Sequence, residues 1–320
     1  MANGGKKDGN LSLALRAAWL HYAGGMTQAE VAKRLGVTPV KAHRLITRAN
    51  QAGAVKVIID GDIVECVELE NALAHRFGLD YCEVVPDLYE EPLPLRALGV
   101  AGAGYLQRAI EAGTDTAIGI GHGRTLACSV DQMPRIAANG VRFVSLLGGL
   151  TRNLAANPHD VMHHLAAKTG AEAIVMPLPF FANTVEDREV MLKQRGMAEV
   201  FEIADSAELK IVGIGTAEPE ASLVATGMIA PQELEEVKAA GAVGEMLGYF
   251  FDAEGRPVET ALTARTIAVG IDTAKTSRIV AVAGGKGKAC AIRSVLMSGV
   301  LSGLITDERT ASALIHQEPA

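Results

Sequence analysis

The sequence lacks the marks of several large protein classes. Its four cysteines, Cys66, Cys82, Cys128 and Cys290, form no CxxC pair and have no regular spacing, which argues against a disulfide framework or a zinc site. Reduced, buried cysteines of a cytosolic protein are the simple expectation. The longest apolar stretches are broken by Arg96, Arg108 or Arg293, so none makes a credible membrane span. Met1–Asn10 is polar and Gly/Lys-rich with no apolar h-region, and it reads as a loose tail rather than a signal peptide. Internal repeats and low-complexity tracts are absent.

Nucleotide and metal motifs are missing as well. Gly119-Ile-Gly121-His-Gly123 needs a glycine at 124 or 126 to become a dinucleotide fingerprint, and Arg124 and Leu126 stand there. Gly213-Ile-Gly215 fails at Glu218, and Lys286 is followed by Gly287 where a P-loop requires Ser or Thr. His159 and His163 are spaced to share a face of a predicted helix, beside His164, but a third ligand is lacking and no HExxH occurs. No cofactor and no metal are expected.

What remains is an ordinary globular composition, 49% hydrophobic and 21% charged over 320 residues, enough for about two domains with cores of their own. The net charge of −7 is unevenly spread. Residues 1–60 hold nine basic and three acidic residues, a net +6, which leaves −13 for the remainder. A basic head on an acidic body points to a polyanion at one end only.

Within that head, Leu11, Leu15, Ala18 and Tyr22 recur at helical spacing and predict one apolar face, ended by Gly24-Gly25. Thr27-Gln-Ala-Glu30 has the form of a capping box, and the helix it opens turns Val31, Ala32 and Leu35 inward before Gly36. Thr38 caps a third helix with Pro39 in its first turn. Ala42, Leu45, Ile46 and Ala49 form the inner face of that helix, and Lys41, Arg44 and Arg48 form the outer one. Three cations on one face repel each other unless an anion lies against them, as the DNA major groove would. Together these features predict a helix-turn-helix. Thr38 and His43 either reach bases or are idle surface residues, and Lys41, Arg44 and Arg48 either read sequence or only hold phosphates. A solvated basic face on a helical bundle is the plainer alternative. The strand-like run 55–59 reads as a wing or connector, which sets domains at 1–60 and 61–320.

Residues 61–320 alternate apolar runs, at 81–85, 115–120, 141–147, 173–176, 209–214 and 278–283, with helical patterns at 93–112, 124–131, 159–169, 185–195 and 286–299. That order predicts a doubly wound α/β domain with a mostly parallel sheet, whose ligands bind at the carboxyl ends of strands. Several such ends carry glycine. Gly121-His122-Gly123-Arg124-Thr125 runs from a strand into a helix, where outward amides and the helix dipole form an anion site; a tight turn with no ligand is the alternative. Gly148-Gly149 and Gly285-Lys286 are further candidates, with Lys286 either meeting an anion or lying exposed. Asp252 either holds sugar hydroxyls or opens a turn with Gly255.

The segments WLHYAGGMTQAEVAKRLGVTPVKAHRLITRA, GIGHGRT, SLLGG, Asn157-Pro158, VGIG, GYFFDAEG and AGGKGKACAIRSVL make the chain resemble, almost end to end, the SorC (sugar-binding) family of bacterial transcriptional regulators. The head is also similar to regulators of erythritol catabolism. The resemblance implies an effector domain related to sugar-phosphate isomerases and deaminases of the glucosamine-phosphate type. It implies a phosphorylated sugar as effector and a tetramer as the working form. Operator DNA is the partner expected of the basic third helix, a phosphorylated sugar or polyol is the effector expected of the second domain, and no tight pair of carboxylates near the glycine loop suggests catalysis. Its effector loops fall on Gly121 to Thr125, Gly148-Gly149, Asp252 and Gly285-Lys286, and His122 departs from the aromatic or small residue often found in the first loop. An active isomerase or deaminase carrying a helix-turn-helix is the alternative function, and an interaction module with a vestigial pocket is a third.

Overall fold

The computed structural model describes residues 5–52, 54–55, 63–151, 157, 159–271 and 277–316. It divides into two compact units, Met1–Gly61 and Asp62–Ala320.

Among its described residues the first unit has three helices, α1 (Gly5–Tyr22), α2 (Gln28–Leu35) and α3 (Pro39–Gln51). The local rules read from the sequence operate here. The Thr27 hydroxyl accepts from the Glu30 amide while the Glu30 carboxylate accepts from the Thr27 amide, closing both halves of the capping box. Gly36 takes the left-handed conformation at φ 64°, which only glycine adopts without cost. Thr38 caps α3 by accepting from the Lys41 amide. Two expectations are corrected. The helix α1 begins at Gly5, inside the segment read as a tail. Of the expected apolar face only Ala18 turns inward, together with Ala14 and Ala17, whereas Leu11, Leu15 and Tyr22 are exposed. Small alanines let α1 lie close to its neighbours over the cluster built with Val31, Leu45 and Ile46. Apolar residues therefore occupy both sides of α1, and Trp19 is 67% exposed. Beyond Val55, the strand-like run lies outside the described residues.

The second unit opens with α4 (Val64–Phe77), β1 (Tyr81–Val85), α5 (Leu95–Ala112), β2 (Ala117–Ile120), α6 (Arg124–Gln132) and β3 (Arg142–Ser145). It continues with α7 (Met162–Thr169), β4 (Ala173–Ile174), α8 (Val185–Leu192), α9 (Met197–Ser206) and β5 (Leu209–Val212). A smaller group follows: β6 (Gly215–Thr216), α10 (Ser222–Ala225), α11 (Pro231–Ala239), β7 (Gly244–Met246), β8 (Tyr249–Phe251) and β9 (Pro257–Val258). The unit closes with β10 (Arg278–Val282), α12 (Ala289–Met297), β11 (Gly303–Asp307) and α13 (Glu308–His316).

Seven strands form one sheet in the order β1-β11-β10-β5-β2-β3-β4, every pair parallel. Strands β6 to β9 form a separate antiparallel sheet. The central strands are buried on both faces, as helices on both sides of a parallel sheet require. Along β10, Val280 and Val282 join one core cluster while Ala281 joins the other, the strand's period of two feeding both layers. Lys210 in β5 keeps a buried stem and donates from its ammonium to the Asp205 carbonyl and the Ser277 hydroxyl, each at 2.9 Å.

From β2 the chain winds outward through β3 and β4, then returns to lay β5 on the other side of β2. The winding direction therefore reverses between β2 and β5. A crevice opens outside the carboxyl ends of strands at such a point.

Candidate functional site

A cleft lies at that switch point. It is lined by His122, Gly123, Arg124 and Thr125 from the β2–α6 turn, and by Gly213 to Thr216 from the chain leaving β5. Glu245 on the antiparallel sheet, Leu247 in its β7–β8 turn, and Lys288 also face it. The β2–α6 turn is shaped by glycine. The Gly121 amide donates to the Ile211 carbonyl at 2.8 Å and ties β2 to β5. Gly123, with φ 132°, precedes α6, whose start has no side-chain cap. The first amides of α6 and the positive end of its dipole therefore face the cleft. Thr125 is buried, and its hydroxyl donates to the Val282 carbonyl at 2.8 Å, which fixes the turn against β10.

Two cations supplement those amides. Arg124 makes no ion pair or hydrogen bond among the described residues. Lys288 is half-buried, donates to the Ile214 carbonyl at 2.7 Å, and has its pKa lowered to about 8 by burial and by the Arg124 guanidinium. His159 is held below its ordinary value by burial and by the same guanidinium. Glu245 stands opposite, its carboxylate accepting from the Gly248 amide at 2.7 Å, and burial pushes its pKa up to about 7. The cleft thus joins an amide-lined helix start, two cations and a carboxyl of low acidity. That is the equipment for an anionic ligand bearing polar groups.

The other glycine ends are placed differently. Gly148 and Gly149 spend their amides on the Ile267 and Met176 carbonyls at 2.9 and 3.1 Å. A Cβ at Gly148 would run into the Pro179 backbone, so glycine there serves a close chain crossing. Gly285 donates its amide to the Asp307 carboxylate and the Thr310 hydroxyl, at 3.0 and 2.8 Å. Lys286 is exposed and opens a 3-10 turn (Lys286–Lys288) rather than the helix expected from residue 286. A turn of that pitch rotates about 120° per residue, so Lys288 and not Lys286 reaches the cleft. Asp252 is also outside it. Its carboxylate accepts from the amides of Glu254 and Arg256 and pairs with the Arg256 guanidinium at 2.7 Å, organising the β8–β9 turn with Gly255. His159 precedes α7, so it and His163 do not share a helix face. Asn157 is buried and accepts from the His159 amide, while Pro158 lies outside the described residues.

Sequence reasoning missed Lys288 and Glu245. The Lys-Gly-Lys spacing offered both lysines without saying which turned inward, and Glu245 sits in a short strand that no periodicity announced.

In the first unit, α3 presents Lys41, His43, Arg44 and Arg48 to solvent, with Ala42, Leu45, Ile46 and Ala49 buried beneath them. Thr38, at the start of α3, is exposed while its hydroxyl oxygen serves the cap. Among the described residues, no helix is long and apolar enough to cross a membrane.

Residues 61–316 match the family described as "Putative sugar-binding domain". The chain is 65% identical over 310 residues to the erythritol catabolism regulatory protein EryD of Brucella abortus, covering 97% of this chain and 98% of that one. It is 33% identical over 307 residues to the transcriptional regulator LsrR of Klebsiella pneumoniae, with 95% and 92% covered. The full-length sorbitol operon regulator SorC from Klebsiella pneumoniae superposes with a TM-score of 0.70 at 25% identity, over 95% of this chain and 99% of that one.

Proposed function

The chain belongs to the SorC-type, sugar-binding family of transcriptional regulators, and from that premise we propose that a phosphorylated sugar or polyol bound in the switch-point cleft sets the affinity of the first unit for operator DNA. The relatives are regulators, so the chain is a regulator and not an enzyme. The observation that carries the phosphorylated class is the convergence of Arg124, Lys288 and the uncapped start of α6 on one cleft. The phosphate sits against Gly123, Arg124, Thr125 and Lys288, and the carbon chain extends toward Glu245. The relative named for erythritol catabolism makes a four-carbon polyol phosphate the first compound to try. On α3, Lys41, Arg44 and Arg48 hold phosphates, and His43 and Thr38 lie where base edges pass. The protein works in the cytoplasm as a homo-oligomer, a tetramer, whose heads engage paired half-sites at a fixed spacing. The effector shifts DNA affinity because it favours one arrangement of the subunits over another.

A thermal-shift screen of the full chain against sugars, polyols and their phosphates tests the effector reading. A ligand at about 100 times its Kd adds roughly 2.7 kcal/mol. Stabilisation confined to phosphorylated compounds is the expected result. Stabilisation by free sugars alone removes the anion from the cleft, and no stabilisation by any compound removes the sensor. Sedimentation of the unliganded and liganded protein tests the tetramer.

A further inference from the structure

One side chain of the cleft carries a buried nitrogen that its packing leaves unused. His122 lies between two glycines, and its half-buried ring lines the cleft. The ring meets Phe180 edge-on, centroids 5.0 Å apart and planes at 86°. Its Nδ1 is buried and has no hydrogen-bond partner among the described residues. Burial, with a smaller contribution from His159, pushes the imidazole down to about 4. At neutral pH it is uncharged, with one nitrogen a donor and the other an acceptor. An uncharged ring adds little attraction for a phosphate. It matches a group that can both donate and accept, and a hydroxyl does so whichever tautomer is present.

A purely structural histidine is poorly explained here. Packing on Phe180 would be served as well by an apolar ring, which would leave no buried nitrogen unpaired, a fault that costs stability. We propose that His122 is a specificity residue, hydrogen-bonding a hydroxyl on the carbon chain of the ligand and so selecting hydroxylated over deoxygenated phosphate esters. This rests on the sensor reading above and adds to it the part of the ligand that is recognised. Arg124 and Lys288 supply affinity for the phosphate, and His122 supplies discrimination among chains. A site built around an unpaired buried nitrogen rejects a ligand that fails to pair it more strongly than an apolar pocket rejects an added hydroxyl.

Isothermal titration of the full chain tests this with glycerol 3-phosphate, erythritol 4-phosphate and xylitol 5-phosphate, the monodeoxy analogues of whichever binds tightest, and inorganic phosphate. In the wild type, one deoxy analogue is expected to bind roughly 10- to 100-fold more weakly than its parent. In His122→Phe, which keeps the contact with Phe180, that ratio falls to within about threefold, while inorganic phosphate binds equally to both proteins. His122→Leu also removes both nitrogens and gives the same readout if the phenylalanine variant does not fold. An unchanged ratio in the variant overturns the inference alone, as does an equal loss of affinity for inorganic phosphate, which would make the ring a phosphate ligand. A wild type that binds no phosphate compound overturns the sensor reading, and this inference with it.

Discussion

Glu245→Gln should make the unliganded protein more stable at pH 7.5 than at pH 5, relative to wild type. Glu245 is buried, and burial raises its pKa from the ordinary 4.5 to about 7, against the lowering effects of the Gly248 amide and of Lys288. The folded protein therefore keeps this proton to higher pH than the unfolded chain does. The stability Glu245 contributes is full below about pH 4.5 and is lost as pH rises through about 7. A separation of roughly 2.5 pH units at 1.36 kcal/mol each gives about 3.4 kcal/mol over the whole range, of which about 2.4 kcal/mol falls between pH 5 and pH 7.5. In a unit of this size that is roughly 5–10 °C in Tm. Glutamine keeps the shape and an oxygen for the Gly248 amide but cannot ionise. Its own amide nitrogen adds a cost that is the same at both pH values, so the difference between them isolates the carboxyl. Urea denaturation of the two proteins at pH 5 and pH 7.5, without ligand, measures it. In a Lys288→Met background the cation that lowers the pKa is gone, and the pH-dependent difference should grow. A Glu245→Gln effect equal at both pH values would refute the account of a carboxyl held protonated by burial.

Three further outcomes are expected. Arg44→Ala should weaken DNA binding at every sequence and reduce the slope of log K against log salt by about 1, seen in fluorescence anisotropy titrations across salt; an unchanged slope would take α3 off the phosphates. Arg124→Ala should weaken binding of the phosphorylated effector while leaving DNA binding of the unliganded protein intact, and a normal effector response would leave the anion to Lys288 and the α6 amides. Gly148→Ala should cost about 1–3 kcal/mol, because its Cβ would lie 2.6 Å from the Pro179 carbonyl carbon and 2.7 Å from the Leu178 oxygen, both backbone. Chemical denaturation reads that loss, and a neutral result would mean the crossing can open.

The features legible in the sequence were those set by nearest neighbours along the chain. The box of Thr27 and Glu30, Gly36 and the Thr38 cap depend on residues three or four apart, and all took the expected form. The central strands were legible because burial on both faces leaves a run of apolar residues. The face of α1 was legible only at Ala18, since Ala14, Ala17 and Ala18 fit a helical repeat as well as Leu11, Leu15, Ala18 and Tyr22 do. Periodicity finds both stripes, and only the distance to the packed neighbours selects the alanines. Strand β11 ends in the buried Asp307, which looks like a turn residue until its bonds to Gly285 and Thr310 are seen. Glycine marked the loops at 121–123, 148–149 and 284–285 without giving the reason. At 121–123 it exposes a helix start, at 148 it admits a chain crossing, and at 284 it avoids the Asp307 carboxylate.

The cleft is where those local rules are broken together, and the way they are broken constrains the ligand. Arg124 depresses the pKa of Lys288, so the two cations work against each other. Glu245 is a carboxyl placed where burial opposes its charge, and His122 carries a buried nitrogen that nothing among the described residues pairs. Each arrangement costs stability, and a core built for stability alone would replace every one of them with apolar side chains. One kind of molecule relieves all of them at once. An anionic group between Arg124 and Lys288 removes their repulsion, and hydroxyls on the same molecule pair with His122 and with a protonated Glu245. An anion without hydroxyls relieves only the first, and a free sugar only the second. Such a ligand would bind the ordered cleft far better than any state in which these side chains are dispersed, and differential affinity of that kind is what a switch between DNA-binding states requires.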